Sequence, residues 1–131
     1  MLGGLDLGLR QALLMAPFGA SCVLLFSLPQ SPLAQPRNLV GGHLTACVGL
    51  ALQALPLPPE VQMALAVGLG IGLMQGLGLI HPPAGANPLL VLMTGQSWPF
   101  LWQTVLPGAL LLWLLSRSYH RARQWKISRE A

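Results

Sequence analysis

The sequence predicts an all-α membrane fold: a polytopic transmembrane helical bundle of four to five spans with broken or re-entrant helices. Three observations predict it. Hydrophobic residues make up 53% of the 131-residue chain and charged residues only 8%, with mean hydropathy +0.62, whereas a soluble domain carries about 25% charged residues. Five apolar runs follow one another: Leu7 to Leu28, Leu39 to Leu55, Val61 to Ile80, Leu89 to Met93 and Phe100 to Leu115. Prolines and glycines then separate or interrupt these runs, and in hydrocarbon such breaks are tolerated only against protein or a water-filled cavity.

In chain order, Leu7 to Met15 reads as helix, and Arg10 near one end reads as an interfacial cation. Pro17 and Gly19 are expected to interrupt the helix before Ala20 to Leu28 continues it. The same interruption, without a fitting cleavage site, argues against a cleaved leader. Pro29 to Pro36 is a loop, and Asn38 is placed to cap the next helix. That helix carries Gly41, Thr45 and Gly49 four residues apart, a face that lets another backbone come close. Pro56 to Glu60 is a rigid turn. Val61 to Ile80 is long enough to span about 30 Å of hydrocarbon. Its Gly68, Gly72 and Gly76 form the clearest close-packing stripe, expected to face another helix or a second copy.

Trp98 and Trp102 mark one interface, Tyr119 and Trp125 the other. Arg117, Arg121, Arg123, Lys126 and Arg129 then place the C-terminus in the cytoplasm by the positive-inside rule. The net charge of +4 thus sets orientation, and no nucleic-acid partner is implied. We divide the chain into a transmembrane domain, residues 1–118, and a basic tail, residues 119–131. Cys22 and Cys47 lack metal-type spacing and read as free and buried.

The most informative stretches lie around the breaks. They are Pro17-Phe18-Gly19-Ala20-Ser21 with Val23-Leu24-Leu25-Phe26 after it, Ser31-Pro32-Leu33-Ala34-Gln35-Pro36-Arg37-Asn38 running into Gly41-Gly42-His43, and His81-Pro82-Pro83 followed by small residues. Together they resemble the signature of the HPP family of small integral membrane proteins, over Pro17 to Asn87. The resemblance implies an integral membrane protein, usually described as four-spanning. Members from plant chloroplasts and cyanobacteria are linked to nitrite transport, which makes nitrite the first substrate to consider.

An internal repeat bears on topology. Pro17-Phe18-Gly19-Ala20-Ser21 and Pro83-Ala84-Gly85-Ala86-Asn87 share the pattern Pro-x-Gly-Ala-polar at an offset of 66 residues, and Gln30-Ser31 meets Gln96-Ser97 at the same offset. Counting the short Leu89 run gives five spans and an inverted repeat, an architecture that puts binding sites at broken helices. Skipping it gives four spans.

The chemistry available is narrow. Asp6, Glu60 and Glu130 are the only carboxylates and none lies inside an apolar run, which argues against a carboxylate-driven cation transporter. With no paired carboxylates, nucleophile–base set, metal spacing or phosphate loop, we expect neither an enzyme nor a cofactor or metal. The two motifs offer helix starts of small residues, Gly19-Ala20-Ser21 and Gly85-Ala86-Asn87. There free backbone N–H groups and the side chains of Ser21 and Asn87 suit a small anion. His43, His81, Arg37 and Gln75 are pathway or gating candidates. His81 can alternatively cap the helix before it, and Gln75 can serve as an interhelical hydrogen bonder. The expectation is a homo-oligomer in a lipid bilayer, in a bacterial (cyanobacterial) inner membrane rather than a chloroplast envelope, that moves a small inorganic anion, nitrite first. The alternative is a membrane scaffold or regulatory component that transports nothing.

Overall fold

Every regular element in residues 16–130, which the computed structural model describes, is helical. α1 is Ala16–Ser27. α2 is Pro36–Leu44, α3 Ala46–Leu52, α4 Pro59–Leu77, α5 Asn87–Thr94 and α6 Leu106–Glu130, with 3₁₀ turns at Pro32–Ala34 and Pro82–Ala86. Helix α4, 19 residues, is the one helix among the described residues both long and apolar enough to cross a membrane. The other runs give shorter or interrupted helices. The predicted Leu7–Met15 helix, Arg10 and Asp6 lie outside the described residues.

The breaks have local causes. Among the described residues α1 begins at Ala16, carries Pro17 in its first turn and runs on through Gly19; the expected break from a preceding helix lies outside the described residues. A proline obstructs a helix on its N-terminal side, where its ring meets the carbonyl four residues back, and leaves the residues after it free to coil. The second apolar run instead splits at Thr45, between α2 and α3. There the Thr45 hydroxyl donates to the Gly42 carbonyl at 2.7 Å, and the Asn87 amide donates to the His43 carbonyl at 3.0 Å. Both carbonyls are thereby drawn from the helical ladder. The wide helical turn at Leu101–Val105, just before α6, absorbs Pro107, which has no N–H and whose ring would crowd the carbonyl of Gln103.

Two apolar clusters hold these pieces. Ala46, Leu50, Val91, Leu101 and Val105 join α3, α5 and the wide turn. Leu25, Ala34, Leu39 and Ala109 join α1, the 3₁₀ turn at Pro32–Ala34, α2 and α6. Glycines set the closest approaches. A Cβ on Gly41 would lie 2.8 Å from the Leu79 side chain, and one on Gly49 would run into the Pro88 carbonyl. The close face expected there is present. α4, in contrast, meets its own chain through Ala66, Gly70 and Met74. A Cβ on Gly68, Gly72 or Gly76 would touch nothing within 4 Å. That stripe therefore packs on no helix among the described residues, and Gly68 and Gly72 line an apolar groove of about 530 Å³.

Other expectations change in detail. Asn38 does not cap α2, which begins at Pro36; its amide donates to the Ile80 carbonyl at 2.9 Å. Cys22 and Cys47 are free but only half-buried. α6 runs unbroken across residues 118 and 119 to Glu130, so the basic stretch continues the helix. His120, on that stretch, pairs with the Leu25 carbonyl at 3.0 Å, beside the Ser116 hydroxyl, which donates to the same oxygen at 3.3 Å.

Candidate functional site

Four polar side chains from four parts of the chain meet in the apolar interior. Ser21 comes from α1, His43 from α2, His81 from the segment between α4 and the Pro82–Ala86 turn, and Asn87 from the first residue of α5. Ser21, His43 and His81 are 0% exposed and Asn87 6%. Ser21 Oγ lies 2.8 Å from His43 Nε2 and 2.8 Å from His81 Nε2, and 3.0 Å from the Pro17 carbonyl. Asn87 Nδ2 lies 2.8 Å from His43 Nδ1 and 3.0 Å from the His43 carbonyl. His81 Nδ1 faces the Leu33 carbonyl at 2.8 Å.

Counting donors and acceptors assigns the protons. The Leu33 carbonyl only accepts, so His81 carries its proton on Nδ1 and offers a lone pair at Nε2. Asn87 presents its NH2 group to two acceptors; turned over, its oxygen would face the His43 carbonyl oxygen. His43 Nδ1 therefore accepts, and its proton sits on Nε2, aimed at Ser21. Ser21 accepts from His43 and donates its own proton to His81. The hydrogen bonds then run in one direction, from Asn87 through His43, Ser21 and His81 to Leu33. Among the described residues no buried side-chain polar atom lacks a partner.

Although Ser21, His43 and Asn87 stand in the order of a nucleophilic triad, the polarity is wrong for one. In this tautomer His43 turns an N–H, not a lone pair, toward the hydroxyl, so no general base faces Ser21 from that side.

Small residues and an aromatic shape the pocket around the rings. A Cβ on Gly42 would lie 2.6 Å from His81 Cβ, so glycine there lets α2 meet the His81 segment. The Phe18 ring lies 4.9 Å from the His43 ring, and the two imidazoles are 5.1 Å apart. Phe18 in turn sits where a Cβ on Gly108 would be.

The other residues singled out from the sequence lie elsewhere. Gly19, Ala20 and Ala86 face outward. Gly85 and Gln75 line a separate pocket of about 280 Å³ with Ile71, Met74, Ile80 and Pro82. Arg37 donates to the Leu77 carbonyl at 2.9 Å and so closes the end of α4. His81 is therefore not the cap of that helix.

A family model described as the transmembrane region of HPP proteins matches residues 2–127. The chain belongs to the HPP transmembrane family. It is an integral membrane protein, as the relatives it matches are also described. One transmembrane protein of Dictyostelium discoideum is 44% identical over 130 residues, covering 90% of this chain and 46% of the relative. A second, from the same organism, is 40% identical over 126 residues, covering 87% of this chain and 40% of the relative. The HPP chain thus spans less than half the length of these relatives. No solved structure matches it.

Three partners of this HPP cluster were not singled out from the sequence: Phe18, Gly42 and the Leu33 carbonyl. Gly42 was legible in principle, as the middle of Gly41-Gly42-His43. The carbonyl was not, because any residue supplies one.

Proposed function

We propose that this HPP chain moves a small inorganic anion across the membrane, with nitrite as the first candidate, and that the Ser21–His43–His81–Asn87 cluster lines the route. One observation carries the reading. Four buried polar groups, two of them ionisable, are linked to one another in the interior, whereas the other buried polar side chains among the described residues, Thr45, Thr94 and Ser116, donate to backbone carbonyls. Polar and ionisable groups inside a membrane are costly and mark solute and proton pathways.

In the closed arrangement the donors satisfy one another. When α1 and α5 part, the Ser21 hydroxyl, the Asn87 amide and the His43 Nε2–H become free. These donors suit an angular anion with two acceptor oxygens and need no fixed positive charge. The backbone groups of Gly19, Ala20, Gly85 and Ala86 contribute once those segments turn inward. The 66-residue motif offset in the sequence supports an inverted repeat, and the open Gly68–Gly72–Gly76 stripe supports a homo-oligomer packed through α4. The basic end of α6 sets the C-terminus on the cytoplasmic side. We read the cluster as serving binding and passage: His43 turns an N–H toward Ser21, and His81 Nε2, which accepts the Ser21 proton, is taken as a proton acceptor on the route.

Nitrite flux into proteoliposomes of purified protein tests this against empty liposomes and an Asn87→Leu variant. Saturable uptake in the wild type, reduced at least about tenfold in the variant, is the expected result, in line with a lost charge-assisted contact of about 1.4 kcal/mol or more. Absence of flux by folded protein would turn the reading to the scaffold role.

A further inference from the structure

Ser21 has one proton and two acceptors within reach: His81 Nε2 at 2.8 Å and the Pro17 carbonyl at 3.0 Å. The neutral cluster uses only the first. We propose that the second is held in reserve, and that the cluster is a binding site for one proton, taken up on His81 Nε2 with Ser21 as its rotary switch.

The bookkeeping closes without moving a heavy atom. A proton adds to the lone pair of His81 Nε2, forming one N–H bond and breaking none inside the protein. The Ser21 O–H turns away from His81 and donates to the Pro17 carbonyl. Ser21 Oγ then accepts from both imidazoles through its two lone pairs, and His81 Nδ1–H continues to donate to Leu33. Every group stays paired.

His43 cannot take this proton. Its free lone pair, on Nδ1, is covered by the Asn87 NH2 group. Protonation there would set N–H against N–H, and turning Asn87 over would set oxygen against the His43 carbonyl at 3.0 Å. The site therefore takes one proton and not two.

The groups facing His81 allow the charge but do not neutralise it. α1 contributes the Ser21 hydroxyl and α2 the neutral His43 ring; the Pro32–Ala34 turn contributes a carbonyl. α5 contributes Asn87, whose amide bonds His43 and not His81. Arg37 is engaged on Leu77, at the end of α4 that precedes His81. Glu60 lies in the first turn of α4, at its far end, about 25 Å away along the helix at 1.5 Å per residue. The Ser21 and Leu33 oxygens hold the imidazolium by hydrogen bonds, and a counterion would stabilise it further in this apolar setting. If the transport reading above holds, the transported anion is that counterion, and proton and anion cross together as a neutral pair. This coupling rests on that reading; proton uptake by the cluster does not.

Two measurements separate them. Nitrogen-15 spectra of histidine-labelled protein in nanodiscs, titrated from mildly alkaline to mildly acidic pH, report the tautomers directly; His120→Gln removes the third signal. The expected result is one buried imidazole passing from Nδ1–H to imidazolium while the other keeps its Nε2–H form. Ser21→Ala shifts that step to lower pH by at least about one unit, equivalent to a tenfold loss of proton affinity. Two imidazoles that stay neutral throughout, or two that titrate, overturn the one-proton site, and the wild-type spectrum alone decides this even if the variant does not fold. The second measurement is nitrite uptake into liposomes carrying an internal pH dye, corrected for empty liposomes. One proton entering per nitrite supports the coupling. Nitrite uptake without proton entry overturns the coupling and leaves the anion reading standing, and proton binding in nanodiscs without nitrite flux overturns the anion reading and leaves the site.

Discussion

The two Pro-x-Gly-Ala motifs begin with the same residues and end in different structures. Pro17 to Ser21 is continuous α-helix, and its polar residue projects from the middle of α1. Pro83 to Ala86 is a 3₁₀ turn, and Asn87 opens a new helix. Yet Ser21 and Asn87 reach the two nitrogens of one imidazole, His43, each at 2.8 Å. The difference is in what each end controls. Asn87 donates to two acceptors and so fixes which nitrogen of His43 carries the proton, whereas Ser21 both accepts and donates and can change partner. One motif sets the tautomer; the other carries the switch.

Several substitutions would break or sharpen this contrast. The largest effect is expected from His43→Ala, which removes the ring both motifs address. It takes one partner each from Ser21 and Asn87, which keep His81 Nε2 and the carbonyl of residue 43, and opens a cavity between Phe18 and His81, for a loss of about 4 kcal/mol read by thermal unfolding in detergent. Asn87→Leu comes next, at about 2–4 kcal/mol, because two buried acceptors lose their donor. Single interhelical hydrogen bonds in membranes average only about 0.6 kcal/mol, so a loss near that value would show that the freed groups find other partners. Gly42→Ala is expected to cost about 1–3 kcal/mol by overpacking, since the new methyl would meet His81 Cβ at 2.6 Å. Gly41→Ala, next to it, meets only the flexible Leu79 side chain and should cost less. The smallest effects belong to the motif glycines, because a Cβ on Gly19 or Gly85 meets nothing within 4 Å. Gly19→Ala, inside α1, should stabilise by about 0.5–1 kcal/mol, and Gly85→Ala should change stability by less than about 0.5 kcal/mol. A large loss at either would mean that these glycines do more than allow the chain to turn.

Much of the architecture could be read from the residues. Composition and the five apolar runs led to an all-helical membrane chain, and the proline-rich stretch after Ile80 to a broken helix. Gly41 and Gly49 were recognisable as close-approach positions from spacing alone. What spacing could not reveal was which neighbour each element would meet. Gly68, Gly72 and Gly76 have the same four-residue rhythm as Ala66, Gly70 and Met74, two positions away and so on the opposite side of α4. Periodicity finds both stripes and cannot rank them; Pro88 lies against Gly70, and that contact decides it. Of the candidate site residues, Ser21, His43, His81 and Asn87 do come together. Gly19, Ala20, Ala86, Gly85 and Gln75 stand apart from them, and Arg37 serves the end of α4. At the first motif the described helix opens at Ala16, three positions before Gly19, so Gly19, Ala20 and Ser21 fall within the first turns of α1 and not at its opening. The break at Thr45 had no compositional mark, because it depends on an amide 42 residues further along the chain taking a carbonyl from the ladder.

The first turn of α2 also grips the chain just after α4. Arg37 holds the Leu77 carbonyl and Asn38 the Ile80 carbonyl, both at 2.9 Å, so α2 and the segment that carries His81 are bolted at two points. α1 is fastened instead to α6, through the Leu25 carbonyl that Ser116 and His120 share. Between these two rigid pieces the described side-chain hydrogen bonds amount to the pair meeting at one oxygen, Ser21 Oγ. The cluster is therefore also a shear plane. A slide of α1 with α6 past α2 would break two hydrogen bonds at a single atom and shift the Leu25–Ala34–Leu39–Ala109 packing, and the same motion would uncouple the two histidines.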